Sequence, residues 1–132
     1  MRSLDLPPTT RHSPVKVYTD ATVQDGLAVG GAVIVTHGGR IEPVGCHIGS
    51  VGTERAEREI VSRVLDNLDV AHVKVYTDFE ELAETPSPNL FYDFDYGTIE
   101  WVPRERNRAA DAVAAFYSSQ PVAPVNRYNV TD

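Results

Sequence analysis

The sequence predicts one α/β domain built on a mixed sheet, and three observations carry that prediction. Apolar patterns of strand and helix period follow one another in the order three strands, helix, strand, short helix, strand, helix. The hexapeptide Val-Lys-Val-Tyr-Thr-Asp occurs twice without change, at 15–20 and 73–78, on the first and fourth of those strands. A chain of 132 residues is long enough to bury one core without disulfides or a structural metal.

Residues 1–13 show no periodicity and read as an N-terminal arm. Residues 119–132, with Pro121 and Pro124, read as a C-terminal tail, which leaves 14–118 as the domain. Residues 15–20 alternate apolar and polar, 27–36 form a Val-rich strand, and 40–48 pair back after the turn His37-Gly38-Gly39. These three make an antiparallel meander. From residue 53 a helix places Ala56, Glu57, Ile60, Val61, Val64, Leu65 and Leu68 on one face, with Thr53 as its N-cap. Arg58, Glu59, Ser62, Arg63 and Asp66 face outward.

Residues 72–78 form the next strand, 79–84 one or two helical turns, and 98–102 the last strand before Pro103. A closing helix over about 107–117 buries Ala110, Val113, Ala114 and Tyr117. The connection 85–96, with two prolines and several aromatics, carries no pattern that assigns it.

Composition narrows the function classes. Cys46 is the one cysteine and has no internal partner, and its place in a strand run predicts a small buried hydrophobe rather than a nucleophile. No apolar run reaches bilayer length and the first residues lack the apolar core of a signal peptide, so a cytoplasmic protein with no membrane partner is expected. On the same reading, the sequon at Asn129 is coincidental. The formal charge of -7 opposes the general phosphate attraction of most nucleic-acid binders. Of 12 basic residues only Lys16 and Lys74 are lysines; acidic, lysine-poor surfaces resemble those of proteins from salt-loving organisms, which predicts function in high salt.

The repeated hexapeptide carries the chemistry. In each copy the Asp ends the strand on the same face as the Lys and Tyr before it. A long crossover containing the helix from residue 53 joins the copies, as parallel neighbours require. Adjacent parallel strands would set Asp20 and Asp78 at one C-terminal sheet edge, roughly 5 Å apart, where open α/β sheets place ligands. Two carboxylates so close repel unless a proton or a cation intervenes, and an oxygen-only donor set suits Mg²⁺ or Mn²⁺. Taken singly, either Asp could merely open a turn; the matched pair argues for a site.

Glu57 falls on the apolar stripe, where an unpaired carboxylate is unfavourable. Its alternative role is to complement the helix dipole, as Glu54 also could. Asp111, early in the last helix, has that same alternative.

At this point the residues resemble the type 1 ribonuclease H family over roughly 15–116. Tyr18-Thr19-Asp20-Ala21-Thr22 followed by Gly30-Gly31-Ala32-Val33-Ile34 is similar to the family's opening Asp and Gly-Gly strand. Ala56-Glu57 resembles the start of its central helix, and Tyr76-Thr77-Asp78 its second strand-end Asp. Trp101-Val102-Pro103-Arg104-Glu105-Arg106-Asn107-Arg108-Ala109-Ala110-Asp111 resembles the strand exit leading to Asn-x-x-Ala-Asp on the last helix.

The resemblance implies a ribonuclease H-like mixed five-stranded sheet, a three-stranded antiparallel meander plus two parallel strands, with flanking helices. It implies catalytic and metal-binding roles for Asp20, Glu57, Asp78 and Asp111, and it adds Asp111 to a set that physics alone leaves at three. The implied activity is cleavage of the RNA strand of an RNA/DNA hybrid with two ions, Mg²⁺ or possibly Mn²⁺, bound beside the substrate. One ion activates water and the other stabilises the leaving 3′ oxygen, giving a 5′-phosphate. Thr22, Arg104 and Asn107 are the expected substrate contacts.

There are departures. Phe79 stands where the family usually has Ser, and the short span after Asp78 leaves no room for the basic protrusion that some members use. No histidine stands just before Asp111, so any product-release role falls to Arg104, Arg106 or Arg108. Weak grip on the hybrid, or help from a protein partner, is the implication. The rival reading is a catalytically inactive ribonuclease H-like module for nucleic-acid binding or assembly, and metal binding separates the two.

Overall fold

The computed structural model describes residues 14–120 and 130–131. The expected arm at 1–13 and most of the expected tail at 119–132 lie outside the described residues.

The identical hexapeptides are the axis of the architecture. Strand β1 (Val15–Gln24) and strand β5 (His72–Thr77) are parallel neighbours, with Val15 opposite Val73, Lys16 opposite Lys74, and so on to Thr19 opposite Thr77. Like therefore lies beside like. The buried alternate positions Val15, Val17, Val73 and Val75 form one wall of the core.

On the other side of β1 come β2 (Leu27–Val35) and β3 (Ile41–Gly49), both antiparallel to their neighbours. Beyond β5 lies parallel β6 (Tyr96–Trp101), so the sheet order is β3-β2-β1-β5-β6. β1 runs four residues past Asp20 and turns at Asp25-Gly26, both with positive φ (54° and 78°). That pair is the primed two-residue turn that matches hairpin twist.

Gly30 and Gly31 decide how the helices seat. Neighbouring residues of a strand face opposite sides of the sheet, and each glycine has a helix pressed against it. A side chain at Gly30 would meet Ile60 of helix α1 (Thr53–Asp66). One at Gly31 would meet the main chain of Ala110 and Ala114 in a second long helix, here α3 (Arg108–Ser118). One helix thus covers each face, drawn close by the missing Cβ atoms. Between them in sequence lie α2 (Glu80–Glu84), which buries Leu82, and a 3₁₀ turn at Arg104–Arg106.

α1 buries Ala56, Glu57, Ile60, Val61, Val64 and Leu65, the stripe expected from its sequence. Its outer face carries the ion pairs Arg58–Glu54 and Arg63–Glu59. Thr53 is the first helical residue and not the cap: Gly52 takes that position, and its carbonyl accepts from the Ala56 amide. Leu68 is buried but belongs to the two-residue strand β4 (Leu68–Asp69), past the end of α1. In α3 only Ala110 and Ala114 are buried; Val113 and Tyr117 are half-buried at the helix margins.

The unassigned connection is a run of turns that lays Leu90, Phe91 and Phe94 against the core and returns through amides of Asp95 and Tyr96 to the Ala71 carbonyl. Val130–Thr131, inside the expected tail, forms β7, parallel to β4. Cys46 is buried, as expected of a packing cysteine. Among the described residues, no helix is long and apolar enough to cross a membrane.

Candidate active site

The β1–β5 ladder ends at Thr19–Thr77, and the next residue of each strand is an aspartate. In-register pairing brings Asp20 and Asp78 side by side, as the repeat predicts. Glu57 reaches them from the fifth position of α1. One carboxylate oxygen from each of Asp20, Glu57 and Asp78 lies within 4.8 Å of the others. Asp20 and Glu57 are each only 3% exposed and Asp78 is half-buried, so this cluster is set into the protein rather than scattered on its surface.

The electrostatics follow from that burial. Three ionised carboxylates about 5 Å apart repel by about 3 kcal/mol per pair at an effective dielectric of 20. Desolvation, then a hydrogen bond with Asp111, then the charge of Asp78 raise the Asp20 carboxyl from 3.8 to about 7. Burial foremost, then the charges of Asp20 and Asp78, push Glu57 from 4.5 to about 9. The Ala21 amide works the other way on both, as a donor to the charged forms.

Asp111 stands in the first turn of α3 and is exposed, yet its carboxyl meets Asp20. The set is thus two buried carboxylates, the half-buried Asp78 and one carboxylate at the rim. Glu57 Oε1 is buried without a hydrogen-bond partner. An orphaned oxygen beside two aspartates is an unfavourable arrangement for the protein alone and a suitable one for a hard cation. An all-oxygen donor set of this kind could hold a hard divalent ion.

The remaining residues singled out in the sequence fall in three places. Thr22 is half-buried on β1, two residues beyond Asp20. Arg104, Arg106 and Arg108 are exposed around the 3₁₀ turn and the start of α3. Asn107 is 1% exposed, and its Nδ2 donates to the Thr19 carbonyl at 2.8 Å and to Asp78 Oδ2 at 3.3 Å. That internal role has no local signal in the sequence, where the resemblance implies a substrate contact for Asn107; the side chain makes no capping bond to α3 either. The Thr77 hydroxyl, which accepts from the Phe79 amide at 3.0 Å, likewise shapes the turn that carries Asp78.

No family model matches the chain, and no curated protein matches it in sequence. Solved structures do match it. The ribonuclease H1 of the halophilic archaeon Halobacterium salinarum is 22% identical with a TM-score of 0.62, over 80% of this chain and 99% of that one. LC11-RNase H1, isolated from compost by a metagenomic approach, is 22% identical with a TM-score of 0.62, over 76% and 91%. The N-terminal RNase H domain of Rv2228c from Mycobacterium tuberculosis is 22% identical with a TM-score of 0.63, over 79% and 98%. The chain has the ribonuclease H-like fold. Its sheet of three antiparallel and two further parallel strands is the arrangement that the resemblance implies.

Proposed function

We propose that this protein is a metal-dependent endoribonuclease that hydrolyses the RNA strand of RNA/DNA hybrids, with two Mg²⁺ or Mn²⁺ ions bound beside the substrate. The single observation that carries this reading is the convergence of buried Asp20 and Glu57 with half-buried Asp78, and with Asp111 at the rim, on a ribonuclease H-like fold. Bound divalent ions would activate a water for attack and stabilise the departing 3′ oxygen, leaving a 5′-phosphate.

The chain's own groups have distinct tasks in this scheme. Asp20 and Asp78, fixed at adjacent strand ends, hold the centre of the donor set. Glu57 and Asp111 complete it from two different helices, so a shift of either helix would open it. On this reading Glu57 and nearby backbone would sense the 2′-hydroxyl that separates RNA from DNA. Arg104, Arg106 and Arg108 offer exposed positive charge to phosphates in an otherwise acidic protein, with Thr22 as a further polar contact. The domain at 14–118 carries the activity, and the proposed compartment is the cytoplasm.

The test is cleavage of an end-labelled RNA/DNA hybrid beside duplex DNA and duplex RNA, with Mg²⁺, with Mn²⁺ and with chelator, over a range of KCl. Metal-dependent cutting of the hybrid's RNA strand alone is expected. Folded protein that cuts nothing in any condition would replace this reading with the inactive binding module.

A further inference from the structure

We propose that Asn107 is a positioning residue for the metal site: it holds the Asp78 carboxylate in register with β1 by clamping it to the Thr19 carbonyl. The inference rests on the reading of the carboxylates as an ion site and adds to it a part that none of them supplies.

A neutral amide buried to 1% exposure must satisfy its polar atoms or destabilise the fold. Asn107 commits both Nδ2 hydrogens to the cluster's framework, one to the Thr19 carbonyl (2.8 Å) and one to Asp78 Oδ2 (3.3 Å). The orientation is fixed by chemistry: turning the amide over would set its oxygen against a carbonyl and a carboxylate. Oδ1 is buried without a partner, so the two Nδ2 bonds alone determine how the group sits.

These bonds fall where the sheet stops doing the same work. The matched β1–β5 register ends at Thr19–Thr77, and the Phe79 amide turns back to the Thr77 hydroxyl. Past that point, the Asn107 side chain ties β1 at Thr19 to Asp78. Its main chain does a parallel service for Asp111, whose amide donates to the Asn107 carbonyl at 3.1 Å in the first turn of α3. One residue therefore touches Asp78, the backbone immediately before Asp20, and the helix turn of Asp111. A bidentate clamp of this kind leaves Asp78 one oxygen free and stops the carboxylate from swinging on its turn.

Asn107→Ala removes the clamp, and Asn107→Leu removes it while conserving volume. Isothermal titration of each folded variant with Mn²⁺ alone, well below its melting temperature, should show affinity weakened roughly 10- to 100-fold, the range for loss of a group that orients a ligand. On the hybrid, half-maximal cleavage should need correspondingly more Mg²⁺, with the rate at saturating Mg²⁺ largely recovered. A residue that only supports the fold would lower the melting temperature and leave Mn²⁺ affinity unchanged; that result would overturn the proposal, as would two variants that both fail to fold. Wild-type protein that binds Mn²⁺ but leaves the hybrid intact would sink the proposed nuclease and not the clamp. Wild-type protein that binds no Mn²⁺ would sink both.

Discussion

Tyr18 and Tyr76, the fourth residues of the two identical hexapeptides, stack with ring centroids 4.8 Å apart and 19° between their planes. Their contact reports the register of the whole ladder. Parallel strands with the same sequence and no offset set every residue beside its twin, and two positions beyond the tyrosines that rule delivers Asp20 to Asp78. The like-charge pair is thus imposed by the same register that packs the four valines, and it becomes favourable when a proton or a cation intervenes.

Asp20→Asn tests the centre of that arrangement. The amide matches the carboxylate in shape and removes its charge, so the fold should persist while Mg²⁺-dependent cleavage falls by more than the roughly 100-fold expected for an outer partner. Circular dichroism and hybrid cleavage on the same preparation check it. Near-normal activity would remove Asp20 from the site.

Stability of the metal-free protein should fall as pH rises. Asp20 and Glu57 have folded-state values of about 7 and about 9, above their ordinary 3.8 and 4.5. Below the ordinary values both states hold the protons, and the contribution is fully present. As pH climbs past them the unfolded chain releases protons that the folded chain keeps, so stability is lost until about pH 7 for Asp20 and about pH 9 for Glu57. Thermal melts in chelator from pH 5 to 9 should show this decline, and Glu57→Gln should flatten it. Added Mg²⁺ should raise the melting temperature more at pH 8 than at pH 5, because the ion competes with the bound protons. A melting temperature independent of pH in chelator, in both proteins, would contradict the assigned electrostatics.

Gly31→Ala should affect stability and catalysis together. The new Cβ would lie 2.8 Å from Ala114 Cα and 2.9 Å from the Ala110 carbonyl oxygen, main-chain atoms that cannot rotate away. α3 must then lift from the sheet, at about 1–3 kcal/mol, and it carries Asp111 away from Asp20. Gly38→Ala, with nothing within 4 Å of its Cβ, is the control. Urea unfolding and cleavage rates measured on both variants check the prediction; equal behaviour would mean that α3 does not depend on the close approach.

Salt should stabilise this chain. A net charge of -7 is self-repulsive, and KCl screens that repulsion. The melting temperature and the hybrid-cleaving activity should rise between low and molar KCl, although phosphate binding through the arginines weakens over the same range. No rise in either quantity would refute the high-salt reading of the composition.

The sequence by itself determined the element order, because strand and helix periods differ and each core stripe is continuous: the α1 stripe from Ala56 to Leu65 is buried as its spacing requires. It also determined the Asp20–Asp78 pairing, since two identical strands joined by a helical crossover have one favourable register. Family resemblance, not patterning, pointed to Asp111, which the structure brings to Asp20. Only the tertiary structure decided what lies between elements. The role of Asn107 depends on contacts 29 and 88 residues away in sequence, and no local period encodes such a distance. The seating of α1 and α3 on opposite sides of Gly30 and Gly31, the half-exposure of Val113 and Tyr117, and the return of Val130–Thr131 to β4 were settled in the same way. A helix or strand is specified by its neighbours in the chain, whereas a close approach is specified by two surfaces that meet only when the chain has folded.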